Sequence, residues 1–403
     1  MPGLRCGVVI LIALVVSPAR AEEPVAEFLQ GLRQRGEIEL AMDYIQFCRS
    51  SNSFSPELQQ VFLLESGITF SQASTLAVDS ELQTRYRDEA RTTLRAFLKT
   101  GRDHPRAAQA QYILGQLLLQ DGTLGVSDPT LTMNRQELVR MVIEESRGYL
   151  RQSRDRYHEL WSQYPAYIPE EDADLRAVKR TVEEAYIRTQ LDLAQCTYWE
   201  AQTYPAGSEE SRRLCAQAGF EFEAIHQRYR SQAGGLLARL WQARCFQQQG
   251  DAQGIRIALG IYAEILEHHG DSPTIQDLRD RALKFRLACL NSEYRKDYQL
   301  VIQEAEEWLE TAADRSISLL GLSIQWELCS ALESKAHLPD IREEERLDYL
   351  QKANAKAYPL TWTRGIYAKR AAALMERVKP ILLAAGRSTD PVLPPPVESS
   401  PDF

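Results

Sequence analysis

The stretch QRGEIELAMDYIQFC at residues 34–48 returns in altered form as YRKDYQLVIQEAEEWL at residues 294–309. In both, a turn residue is followed by apolar side chains three and four apart, the spacing of one helical face. A unit written twice is the strongest constraint on this fold. Such a unit cannot bury its apolar face alone and must stack on its neighbours. The turns inside the units are read at Gly36, Gly122, Gly207, Gly250, Lys296 and Leu338-Pro339-Asp340. Gly207 and Gly250 are 43 residues apart, Gly250 and Lys296 are 46, and Lys296 and Pro339 are 43. Gly36 and Gly122 lie two such periods apart, and their midpoint falls on Val78-Asp79-Ser80, between two helical patterns. The 85 residues from Gly122 to Gly207 are read as one enlarged unit, with helices at roughly 136–164 and 172–204. A fixed period of this size built from helix pairs predicts an α-solenoid.

Local signals agree. In RAAQAQYILGQLLLQDG, residues 106–122, Ala107, Ala110, Leu114, Leu117 and Leu118 form one helical stripe, and Gly122 is expected to stop it. Ser55-Pro56 and Ser272-Pro273 each offer an N-cap hydroxyl followed by a proline in the first turn. No run alternates strictly, so no strand is expected.

GEIELAMDYIQ and KDYQLVIQEAEEWL resemble the second half of a tetratricopeptide repeat, G-x-[aromatic/apolar]-x-x-A-x-x-x-[aromatic]. YILGQLLLQDG resembles the first half, and SRDRYHELWSQYP, AGFEFEAIHQRY and ALGIYAEILEHHGDSP resemble second helices. The period near 43 departs from the family's 34, and the hairpin at 317–359 matches weakly. The resemblance implies an all-α, right-handed α-α superhelix of about seven hairpins over residues 22–386, with 136–204 as its enlarged region. It also implies that Gly115, Ala243 and Cys289 are small where paired helices cross. Ala41, Ala90, Ser153, Ala218, Ala258 and Val301 would be small where the second helix meets the first, and Tyr157, Phe222 and Tyr262 large where it meets the next repeat.

The ends differ from the body. MPGLR, the apolar run CGVVILIALVV and a closing Ala19-Arg20-Ala21 are the three regions of a secretory signal peptide, residues 1–21. The run is shorter than the roughly 20 residues a membrane span needs. Cys6 precedes it and cannot be a lipidated cysteine at the cleavage site. The reading is an exported protein, periplasmic or extracellular, with no stable membrane insertion after cleavage. Residues 387–403, with Pro394-Pro395-Pro396, read as a disordered, proline-rich tail.

The formal net charge of −9 argues against a nucleic-acid partner, which would select a basic face. The chain carries no H-E-x-x-H, G-x-S-x-G, phosphate loop or C-x-x-C, so no catalysis, metal or cofactor is expected. The function that follows by analogy is a scaffold binding a protein or peptide in the concave groove lined by first helices. The alternatives are a non-catalytic helical module of an envelope-assembly machinery, or an enzyme without a recognisable motif. The expected groove residues are Tyr112 and Gln116, then Trp241, Arg244 and Gln248 at i, i+3 and i+7, then Arg286 and Tyr294. Trp, Tyr and Arg dominate interface energies. Cys196 and Cys215 are equidistant from the turn at Pro205-Ala206-Gly207 and would lie at one height in a hairpin. Helix rotation decides whether they bridge or remain two buried thiols.

Overall fold

The structure, a computed structural model, describes residues 25–50, 55–127, 132–270, 272–363 and 365–389. The signal-peptide reading of residues 1–21 therefore lies outside the described residues, as does the tail from Asp390 onward. Among the described residues there are fifteen α-helices and no strand, so the fold is all-α. The chain divides into two compact units, one ending at Arg228 and one beginning at Tyr229.

The first unit holds α1 (Val25–Gln34), α2 (Ile38–Ser50), α3 (Pro56–Leu76), α4 (Ser80–Thr100), α5 (Ala107–Val126), α6 (Met133–Ser162), α7 (Ala173–Ala201) and α8 (Glu209–Arg228). Consecutive helices pack in pairs, and the first helices α1, α3, α5 and α7 each also touch the next one in that series. This double neighbour relation is what a stack of hairpins requires.

The second unit repeats the arrangement with α9 (Ala233–Gln248), α10 (Ala252–Leu266), α11 (Pro273–Asn291), α12 (Tyr298–Thr311), α13 (Leu319–Ala336), α14 (Glu343–Ala357) and a last single helix, α15 (Ile366–Ala384). Here α9, α11, α13 and α15 are the consecutive first helices in contact.

Sequence signals set these boundaries. The Ser55 and Ser272 hydroxyls accept from the Leu58 and Ile275 amides, each ahead of a proline in the first turn. Gly250 turns the chain between α9 and α10 at φ 70°, where a Cβ would be penalised; Lys296 does the same between α11 and α12 at φ 52°. Gly122 does not stop α5. The helix runs on to Val126, and Gly122 is buried within it. A Cβ there would lie 2.7 Å from Ile143 Cγ1 of α6, and one at Gly115 would lie 2.7 Å from Leu150 Cγ. Gly122 is thus a close-packing residue, and the turn falls after Val126 instead. α6 and α7 are unbroken, at 30 and 29 residues.

The small positions read from the repeat, Ala41, Ala90, Ser153, Ala218, Ala258 and Val301, are all fully buried, as are Phe222 and Tyr262; Tyr157 is nearly so. Each large apolar side chain so placed adds roughly 1.5–3 kcal/mol of burial free energy. Buried charges are few and partnered. In the first unit Glu65 of α3 is fully buried and pairs with Arg33 of α1 at 2.6 Å and with Arg106 at the start of α5 at 2.5 Å. In the second, buried Asp280 of α11 accepts from Trp308 Nε1 at 2.9 Å and from Gln276 Nε2 at 3.0 Å.

Residues 387–389, expected within the unstructured tail, lie along α14. Arg387 bonds to Asp348 and Gln351, and the Thr389 carbonyl accepts from Asn354. No helix among the described residues is long and apolar enough to cross a membrane.

Candidate functional site

The first helices of the second unit stand side by side, so equivalent positions on them form a row. Arg244 of α9, Lys284 of α11, Glu327 of α13 and Arg370 of α15 form one connected cluster across these helices. The Arg244 guanidinium lies 4.2 Å from the centre of the Phe285 ring, and Lys284 Nζ lies 5.3 Å from the same ring. The Arg370 guanidinium is 5.7 Å from the Trp326 ring and 6.0 Å from that of Tyr367. Asn291 Nδ2 donates to Glu327 Oε2 at 2.7 Å and to the Glu327 carbonyl at 3.0 Å. Trp241, Arg244, Lys284, Phe285, Trp326, Glu327 and Tyr367 are half-buried, and Arg370 is exposed. Aromatic faces and cations are therefore both open to a ligand.

The electrostatics favour an anion. Lys284 and Arg370 flank the Glu327 carboxylate, and Arg244 adds a third cation beside Lys284, in a chain whose net charge is negative. Burial and then the nearby Arg244 push the Lys284 ammonium below its ordinary range. Burial pushes Glu327 upward, against the Asn291 hydrogen bond and the attraction of Arg370 and Lys284. Each group is held in a half-dry setting where an opposite charge from outside gains more than it would in water.

A second concavity, about 890 Å³, lies among α6, α7 and α8 in the first unit. Five arginines line it, Arg147, Arg151, Arg154, Arg213 and Arg228, with Asp155, Glu200 and Glu221 as its acids. Arg147 pairs with Glu144 and Glu200, Arg154 with Asp155 and Arg213 with Glu210, and the Arg228 guanidinium lies 5.9 Å from the Trp161 ring.

The residues expected to line a groove divide. Arg244 belongs to the row; Trp241 and Gln248, both half-buried, lie one turn before it and one turn after it on α9. Arg286 does not belong. It makes a two-pronged pair with Glu304 of α12, Nη2 to Oε1 2.8 Å and Nε to Oε2 2.9 Å, and so braces its own hairpin. Tyr294 is 42% exposed, and its hydroxyl donates to the Gly250 carbonyl at 2.7 Å, tying one turn to the next. Tyr112 is only 8% exposed and is a core residue. Gln116 is exposed, with Nε2 donating to Tyr112 Oη at 2.6 Å and to Asp192 Oδ2 at 3.1 Å.

That last cluster has a consequence for stability. Burial raises the Asp192 carboxyl to about 6, against the hydrogen bonds from Gln116 and Tyr112 and the charge of Arg188. A carboxyl raised in the folded state opposes folding once it ionises. Its contribution is most favourable below the unfolded value near 4 and is lost as pH rises through about 6. Asp192→Asn is expected to be more stable than the parent by about 1–2 kcal/mol at pH 7.5 and equal to it at pH 4. Urea denaturation of both proteins across that range checks this, and a difference independent of pH would refute it.

Cys196 and Cys215 are both buried and do not bridge to each other. Cys196 turns toward α6, 3.7 Å from Ser146 Oγ, and burial pushes its thiol up to about 12. Cys215 packs with Ala201 and Leu214 and accepts from Gln202 Nε2 at 3.8 Å. Equal height in the hairpin did not bring the two thiols face to face, because rotation of α7 turns Cys196 toward α6. Among the described residues no group of three His, Cys, Asp or Glu side chains is placed to hold a metal ion.

Searched against models of known protein families the chain matches none, and no curated protein matches it either.

Proposed function

We propose that this chain is a tetratricopeptide-like interaction scaffold whose α9–α11–α13–α15 row binds an extended peptide rich in acidic and aromatic or proline residues. The observation that carries this reading is the set of shared contacts: Arg244 and Lys284 on one Phe285 ring, and Arg370 beside Trp326 and Tyr367. Cations held against aromatic rings offer an incoming segment a charge for its carboxylates and a flat apolar surface for its rings. Hydrogen-bond donors are in excess over acceptors along the row, which suits carboxylates and disfavours basic segments. Residues 1–21 extend the proposal to export, so the partner would be met outside the cytoplasm.

The test is selection of a random decapeptide display library on the full chain, with Arg370→Glu as counter-selection. Arg370 is exposed, and unchanged circular dichroism and melting of the variant are required before its binding is compared. Enriched peptides are expected to carry acidic residues with Trp, Tyr, Phe or Pro, and to be lost from the variant. Enrichment of basic peptides, or equal retention by both proteins, would contradict the proposal.

A further inference from the structure

The same row has a candidate occupant within the chain itself. We propose that the proline-rich segment 390–403 folds back onto the α11–α13–α15 part of the row and competes with external peptides. This rests on the reading of that row as a peptide-binding face.

Three observations converge on it. The first is composition. Segment 390–403 holds Asp390, Glu398 and Asp402, five prolines, Phe403, and no Lys or Arg. It thus carries the chemistry that the row selects, with carboxylates for Lys284 and Arg370 and prolines for aromatic faces.

The second is direction. After α15 the chain reverses. The Arg387 side chain bonds to Asp348 and Gln351 in the middle of α14, and two residues later the Thr389 carbonyl accepts from Asn354 nearer its end. The end of α14 leads into the start of α15. Residues 387–389 therefore run back toward the end of α15 that carries Tyr367 and Arg370, so the last described residue already points toward the row.

The third is reach. Fourteen residues in an extended polyproline conformation span roughly 43 Å. Neighbouring packed helices are about 8–10 Å apart, so crossing from α15 to α11 takes about 20 Å. The remainder suffices to round the end of α15.

A tethered segment at an effective concentration near 1 mM, binding with an intrinsic constant near 0.1 mM, lowers external affinity about ten-fold. The probe is a fluorescein-labelled synthetic peptide of residues 390–403, titrated by anisotropy. It is added to the full chain, to a chain ending at Thr389, and to the full chain with D390N, E398Q and D402N. The shortened and neutralised chains are expected to bind it about ten-fold more tightly than the full chain. Arg370→Glu in the shortened chain is expected to lose that binding.

Equal binding by full and shortened chains would overturn the proposal. If a library-selected acidic peptide still bound both of them, the row would remain a peptide site without a resident segment. If neither peptide bound the shortened chain, the reading of the row would itself fall. Dimers in sedimentation velocity that vanish on shortening would place the segment on a second copy, which also overturns the proposal.

Discussion

Glu65→Gln is expected to destabilise the first unit by about 3–5 kcal/mol, the usual result of breaking a buried ion pair from one side. Glu65 is fully buried, and its Arg33 partner is 3% exposed with a further bond to Thr69 Oγ1 at 3.2 Å. Removing the carboxylate charge leaves the Arg33 guanidinium buried without its counter-charge. Arg106, at 16% exposure, turns to water more readily. The triad ties α1, α3 and α5 together, so its loss is felt by the whole terminal part of the stack. The double variant Arg33→Met with Glu65→Met removes both buried charges and should be less destabilised than Glu65→Gln alone. Chemical denaturation of the three proteins decides the matter. A Glu65→Gln cost below 1 kcal/mol would show that the pair contributes no more than a surface bridge.

Phe222→Ala is expected to cost about 3–5 kcal/mol, whereas Phe220→Ala, two residues earlier on α8, should be within 0.5 kcal/mol of the parent. Phe222 is fully buried and Phe220 is 72% exposed. The two positions differ only in phase, about 200° around the helix axis. Phe222 lies one turn from Ala218 on α8, and both are fully buried. Its removal leaves a cavity that rigid flanking helices cannot close. Equal melting shifts for the two variants would mean that α8 is rotated from its assigned phase.

Helix phase also separates what was legible in the sequence from what was not. Small and large positions of the repeat were readable because close helix crossings admit only small side chains, and all six small positions are fully buried. Gly36, Gly207 and Gly250 were readable as turns because each takes a positive φ. Gly122 looked alike in sequence but serves a different need, the approach of Ile143, and one residue type cannot show which need applies. The Arg33–Glu65–Arg106 triad left no local trace. Its members are 32 and 41 residues apart, and a lone charge within an apolar stripe reads the same whether or not a partner arrives from another helix.

One member of the row was visible. Arg244 was found from its spacing to Trp241, while Lys284, Glu327 and Arg370 meet only through the packing of α11, α13 and α15, which no local pattern records. Arg286 stands two residues past Lys284, so it faces α12 and finds Glu304 instead. Tyr112 was placed on a groove because its residue type suits one, yet long neighbours in α6 and α7 enclose it.

The charge of the row is the part of this functional reading most open to attack by experiment. The most direct measurement is a titration calorimetry series in which one library-selected acidic decapeptide binds the parent, Arg370→Glu and Arg213→Glu. Both arginines are exposed, and Arg213 lies on α8 in the other unit. Each reversal changes the net charge by the same amount, so long-range attraction alone would weaken binding equally. If the row is the binding face, Arg370→Glu loses at least ten-fold in affinity, about 1.4 kcal/mol or more, and Arg213→Glu stays within two-fold of the parent. Equal losses in the two variants, or no loss in either, would contradict it.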